Sequence, residues 1–322
     1  MRRILIGIVC CMVSVFLLHQ AAHARVISVC PDGTCNAKTI SAAHTAADDG
    51  DTIRVYPGNY RGITVTKAVR LIGINDPAIT LSGPIRVADM KTGFYIPAGS
   101  AAGIVIGGFT FPTTIDFPIY AVNVEGMVIH NNTMTSPVQG ITLWDSTFCN
   151  VSNNTVNGPL RSTGTGGGLG ILVGDNNGID QSSRNMVIGN SVSGAVTGGS
   201  STSEYWTAGI CLFSANPGEA NYQNVLYGNT LAMNKTTDGV QVAHIALDQE
   251  LPSKLICIVK DNEVLKNTTS GTSNYKIVQR PGGLAAACND VVVGNILSAA
   301  AAALEAAPAS SASAGGRLVN PY

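Results

Sequence analysis

Four positions hold most of the chemistry in this sequence: Asp145, Asp175, Ser214 and His244. Each follows a short alternating apolar run, Gly140 to Trp144, Gly170 to Gly174, Gly209 to Phe213 and Gly239 to Ala243. Laid side by side as strands, these runs put the four residues in a column at the strand ends, roughly 5 Å apart. Two carboxylates at that spacing, Asp145 and Asp175, repel each other and raise one pKa, which divides such a pair into acid and base. His244 is the proton shuttle of the column. Period-two alternation turns Trp144 and Phe213 outward, where flat rings offer stacking faces to a sugar. Tyr205 and Trp206 sit in a polar insertion and offer a second such face, and Arg161 and Arg184 supply cations. Against this stands a plainer reading, in which Asp and Ser occupy a turn and bond the local backbone. Tyr205 and Trp206 have their own alternative, folding back over apolar sheet around Cys211 and Phe213.

What positions such a column is a repeat. An apolar residue, two others, Asn, one residue and a second apolar residue occur at Ile129–Asn132–Met134, Val151–Asn154–Val156, Val187–Asn190–Val192, Leu226–Asn229–Leu231, Val259–Asn262–Val264 and Val292–Asn295–Leu297. The asparagines are 22, 36, 39, 33 and 33 residues apart. A period that long, built from short strands, is the signature of a solenoid whose rungs stack to bury their apolar positions. Regular short strands also suit a β-sandwich. Asparagine at one corner of every rung can bond the asparagine above and below. The preceding residue is Asn131, Asn153, Gly189, Gly228, Asp261 or Gly294, types that tolerate a left-handed corner. Insertions at Asn157 to Leu169, Ser193 to Ala208 and Leu265 to Asn274 follow the Asn-bearing strand, so they project from one side as functional loops.

Met1 to Ala24 reads as a secretory leader: Arg2 and Arg3, an apolar core from Ile4 to Leu18, and the small-x-small site Ala22-His23-Ala24. The apolar run is short for a membrane span. The expectation is a secreted or periplasmic chain starting at Arg25, with no membrane attachment after processing. Of 19 Lys plus Arg, removing Arg2 and Arg3 leaves 17 against 20 Asp plus Glu. That balance argues against a nucleic-acid partner. Six cysteines remain, an even number suited to an oxidising compartment. Cys30 and Cys35 flank the turn Pro31-Asp32-Gly33-Thr34 and should form a local disulfide. Cys257 and Cys288 lie in adjacent rungs and could pair, while Cys149 and Cys211 fit buried thiols. The chain after the leader holds only His44, His130 and His244, too few for a dedicated transition-metal site.

Thr39 to Ala47 reads as a short helix capping the first rung. Gly-Asp-Thr-Ile-x-Val-x-Pro-Gly-x-Tyr follows at Gly50 to Tyr60, and Leu-Ile-Gly at Leu71 to Gly73. These features, with the Asn-bearing rungs, resemble right-handed parallel β-helix proteins of the pectate-lyase-like superfamily. The resemblance runs from about Thr39 to Leu297 and implies an all-β, right-handed parallel β-helix. It carries no single activity. The glutamate that pectin methylesterases place after Gly-x-Tyr is replaced here by Arg61 and Gly62. Their Gly-Thr-Val-Asp-Phe motif is echoed only by Thr114 to Phe117. The polygalacturonase Gly-His-Gly, the pectate-lyase Trp-x-Asp-His and the epimerase Asp-Pro-His-Asp are absent. Lyases of this fold commonly use Arg or Lys as base and hold Ca2+ on Asp and Glu, so the resemblance implies such roles for Arg184, Arg161 and Asp175. Residues 298–306 read as an Ala-rich helix and 307–316 as a flexible tail. Three segments result: a leader over 1–24, the β-helix over 25–297 and an Ala/Ser-rich cap and tail over 298–322. The functional expectation is a carbohydrate-active protein binding an extended, uronate-containing polysaccharide, with lyase chemistry its enzymatic form. The alternative is a non-catalytic scaffold using its long loops.

Overall fold

A computed structural model describes residues 24–80, 85–87, 90–161, 168–175, 181–197, 207–214, 221–235, 242–249, 259–273, 275–280, 290–297 and 305–306. One turn of the chain shows the construction. Val128–His130 lies in a first sheet, Thr133–Thr135 in a second and Gln139–Trp144 in a third. The chain then returns to the first sheet at Asn150–Ser152, directly beside Val128–His130. Repetition of this circuit gives, among the described residues, three ten-stranded sheets and one of three strands. Pairing is parallel throughout except where Ile85–Val87 runs antiparallel to Met90–Ile96. The molecule is a parallel β-helix, as the repeat requires.

Alternation explains the interior. Ile129, Val151, Val187, Leu226 and Val264 stack at one inward position of the first sheet, all fully buried. Met134, Val156, Val192 and Leu231 do the same in the second sheet. Each buried aliphatic side chain contributes about 1.5–3 kcal/mol, so a stacked column outweighs any single polar contact. The expected capping helix is Ile40–Ala46. Thr39 caps it by accepting a bond from the Ala42 N–H at 3.1 Å, and Ile40 and Ala43 are its buried face.

The asparagines form a file, with one correction. Asn132, Asn154, Asn190, Asn229 and Asn267 each pass an amide N–H to the next asparagine's side-chain oxygen at 2.9–3.0 Å, and Asn295 ends the file. Asn267, not Asn262, is the fifth member. Asn262 belongs to a second file at the neighbouring corner. There the Cys149 N–H donates to Asn185, Asn185 to Asn224, Asn224 to Asn262, and Asn262 to Asp290, at 2.9–3.1 Å. The residues preceding both files take left-handed backbone: Asn131, Asn153 and Lys266 in the first, Phe148, Arg184, Gln223 and Asp261 in the second. The shift also reassigns the expected loops. Ser191–Thr197 and Thr268–Ser270 are second-sheet strands rather than insertions.

A further column runs through the third sheet. Gly93, Pro118, Gly140, Gly170, Gly209 and His244 fall at one register position that the flanking pairs skip. A Cβ on Gly140 would sit 2.5 Å from the Gly170 carbonyl, and one on Gly170 2.4 Å from the Gly209 carbonyl. The missing side chain therefore lets the next rung's carbonyl approach where the regular pairing lapses. Of the Ala-rich segment expected as a helix over 298–306, only Glu305–Ala306 is described. Those two residues pair as a strand with Tyr275–Arg280, which corrects the expectation there.

Candidate functional site

The predicted column exists for two of its junctions and fails at the third. Trp144 pairs with Gly174, so Asp145 and Asp175 lie at matching positions in adjacent rungs. Asp175 pairs with Ser214, whose hydroxyl donates to Asp175 Oδ1 at 2.5 Å. His244 is elsewhere. Ser214 pairs with Gln249, and Ala208 with Ala243, which puts His244 opposite Gly209 near the strand's other end. Its ring is fully buried and tied down locally. Nε2 meets the Met233 N–H at 3.3 Å and the Ser270 carbonyl, and Nδ1 meets the Ser273 hydroxyl at 2.7 Å. Five residues along a strand span roughly 16 Å, so His244 shuttles no proton for the aspartates.

Trp144 and Phe213 do leave the interior, as alternation requires, but they are not open. They are 3% and 2% exposed and pack edge to face at 6.0 Å between ring centres. The indole lies over Gly174, where a Cβ would come within 2.4 Å of it. Tyr120, Leu172, Cys211 and Ala246 continue this buried layer outside the sheet. Neither ring is available as a stacking platform. Tyr205 and Trp206 lie outside the described residues, as do Cys257 and Cys288. Cys30 and Cys35 form the expected disulfide, with 5.2 Å between alpha carbons, and Cys149 and Cys211 are buried thiols.

The two arginines are committed to other partners. Arg161 pairs with Asp116 at 2.8 Å and donates to the carbonyls of Ser136 and Ile115 at 2.6 and 3.2 Å. It buttresses three successive rungs. Arg184 stands at a left-handed corner, stacked 5.2 Å from the Phe148 ring centre and bonded to Gln223 at 3.1 Å. Both guanidinium groups therefore serve the corners of the solenoid. Among the described residues no three His, Cys, Asp or Glu side chains converge as a metal site, and the Ca2+ that the resemblance implies finds no such set there.

What the structure adds is a groove. Ser100, Ala102, Asn123, Val124, Glu125, Asp145, Thr147 and Gln181 bound a volume of about 470 Å³ where the third sheet turns toward the first. Two residues of its wall, Asn123 and Asp145, take left-handed backbone, with φ of 48° and 51°. Each corner is pinned to the next rung. The Asn123 N–H donates to the Trp144 carbonyl at 2.8 Å and the Asp145 N–H to the Gly174 carbonyl at 2.8 Å. Glu125, Thr147 and Ser183 follow as a second column of single bridges. Behind them Ser146 and Ser182 point inward. The Ser146 N–H donates to the Ser182 hydroxyl at 3.2 Å, and Ser182 donates to the Gly174 carbonyl. Asp145 is buried at 2% exposure and Glu125 is exposed at the rim. Glu125, Asn123 and Gln181 were not singled out from sequence. Glu125 follows Asn123 by two residues as Thr147 follows Asp145, and that parallel was their available signal.

No protein-family model matches the chain. No curated protein sequence matches it. Two solved structures are similar to it. Pectin methylesterase from carrot is 14% identical, with 88% of this chain and 86% of that chain covered and a TM-score of 0.46. Alginate lyase from Paenibacillus sp. str. FPU-7 is also 14% identical, with 84% and 99% covered and a TM-score of 0.24.

Proposed function

We propose that this is an exported carbohydrate-active protein that holds an extended polysaccharide across the groove bounded by Glu125, Asp145 and Gln181. The observation supporting this reading is that groove, polar and set on a corner whose backbone is bonded rung to rung. Carboxylate and amide side chains suit sugar hydroxyls, accepting and donating in turn. Glu125 stands at the exposed rim and Asp145 in the buried wall, so a chain crossing the groove meets carboxyl groups at two depths.

The lining narrows the substrate class. A uronate carboxylate entering this groove meets two further carboxyl side chains, Glu125 and Asp145, and a lining with no basic residue. Elimination from a uronate also needs a base and a cation, and Arg184, Arg161 and His244 are engaged elsewhere. The reading is therefore a neutral or sparsely charged chain. Affinity electrophoresis against neutral and uronate polysaccharides, with reducing-end release measured in parallel, tests it. Retention on a neutral polysaccharide is expected, with Glu125→Gln and Asp145→Asn each weakening it about tenfold, the loss of one charge-assisted hydrogen bond. Retention on none, or retention that both variants leave unchanged, would overturn the proposal. A scaffold role is the second reading, favoured by the buried apolar layer outside the third sheet, which uses that face for packing rather than for ligand.

A further inference from the structure

Arg25 opens the first described strand, Val26–Val29, and meets an unusual reception. Its backbone N–H donates to Asp51 Oδ1 at 2.7 Å. Its side chain donates to Asp51 Oδ2 through Nε at 3.1 Å and Nη2 at 2.9 Å, and to Asp48 Oδ2 at 2.6 Å. The Asp48 N–H also donates to Asp51 Oδ2, at 2.9 Å. The Asp51 side chain is 4% exposed. Thr52 closes the arrangement by donating to the Arg25 carbonyl at 2.8 Å. Two carboxylates thus face one guanidinium, and the more buried of them spends one oxygen on a backbone N–H. Immediately before Arg25 stands Ala22-His23-Ala24, the small-x-small pattern that leader peptidases cut after.

We propose that the Ala24–Arg25 bond is the processing site and that Asp51 is the receptor for the α-ammonium that processing creates. Water adds across the amide under a leader peptidase. Its hydroxyl goes to the Ala24 carbonyl carbon, the C–N bond breaks, and the Arg25 nitrogen leaves as an amine that takes up a proton. Asp51 Oδ1 then accepts from a full positive charge. The Arg25 contact at 2.7 Å already has the length of a charge-assisted bond. The two carboxylates come to face two cations, the guanidinium and the ammonium. Asp51 also joins the turn after the Ile40–Ala46 helix to the first strand, so the new charge tightens the end of the solenoid that stacking leaves uncovered. Processing then completes the N-terminal cap, and the precursor carries a weaker one.

The exported product of the full-length chain is first sequenced from its N-terminus. It should begin at Arg25, and any other start overturns the proposal. Purified chains beginning at Arg25 and at Ala24 are then compared by calorimetry. Retaining Ala24 should lower Tm by about 3 °C, the scale expected when a buried carboxylate loses a charged donor in a chain of this size. Equal Tm values overturn the proposal. Asp51→Asn in both backgrounds sharpens the result, because it should cost more in the chain that starts at Arg25. Equal costs mean the ammonium adds nothing. If Asp51→Asn does not fold, the comparison of the two wild-type starts decides alone. None of these measurements involves the groove.

Discussion

The two asparagine files use the same bond and occupy adjacent corners, yet they differ in reach. The first runs from Asn132 to Asn295 without a break. The second begins only at Asn185. Its earlier positions hold Ile104, Met127 and Cys149, all buried and apolar or nearly so. The groove lies beside those early rungs, at Asn123, Glu125, Asp145 and Thr147. Where amides connect the rungs, each corner is fixed by side-chain bonds in addition to the backbone ladder. Where apolar side chains replace them, backbone bonds and packing hold the corner without an amide link between rungs. The difference teaches that the site sits on the side of the molecule where the repeat is least strict.

The largest effect that tests this contrast is expected at the centre of the long file. Asn190 accepts from the N–H and amide of Asn154 and donates to Asn229 and to the carbonyls of Val151 and Ile188. Asn190→Ala leaves several buried partners unsatisfied and should cost about 4 kcal/mol, seen as a Tm drop of about 8 °C or more. Asn185→Ala, at the start of the short file, should cost less, about 3 kcal/mol, because one neighbour is a cysteine. A cost equal to that of Asn190→Ala breaks the contrast. Cys149→Asn should sharpen it. The Cys149 sulfur lies 3.8 Å from the Val124 carbonyl, and the Cys149 N–H already bonds Asn185, so an amide there extends the file by one member. Its expected gain is about 1 kcal/mol in chemical denaturation, with affinity in the adjacent groove changed as that corner stiffens.

The smallest effect near neutral pH comes from the thiol itself. Burial pushes Cys149 from the ordinary 9 up to about 12. A raised folded pKa means the neutral thiol favours the fold. That contribution is fully present below pH 9 and is lost as pH rises from 9 toward 12. Stability should therefore fall in that alkaline window in wild type and fall less in Cys149→Ala. Thiol reagents should leave Cys149 unmodified at neutral pH in the folded chain.

Most of the architecture was legible because alternation and the asparagine spacing are both strict where the core is strict. Two misreadings have physical causes. Lys266 takes the left-handed corner that Gly or Asn holds in the other rungs, so Asn267 carried no marker, while Asp261 before Asn262 imitated one at the neighbouring corner. The second file was written plainly: Asn185, Asn224 and Asn262 each precede a member of the first file by five residues. His244 was misplaced because Gly239 imitates the glycine column, whereas the true occupant of that column in this rung is His244 itself. The outward direction of Trp144 and Phe213 was readable from period two. Their burial was not, because period two assigns a face and says nothing of what lies over it.

The amide contact is 3.0 Å whether the enclosed turn holds 22 residues, as between Asn132 and Asn154, or 39, as between Asn190 and Asn229. The interior thus works as a ruler, indifferent to how much chain is spent outside it. Segments of this protein can be lengthened or exchanged between two graduations while the scale itself stays put.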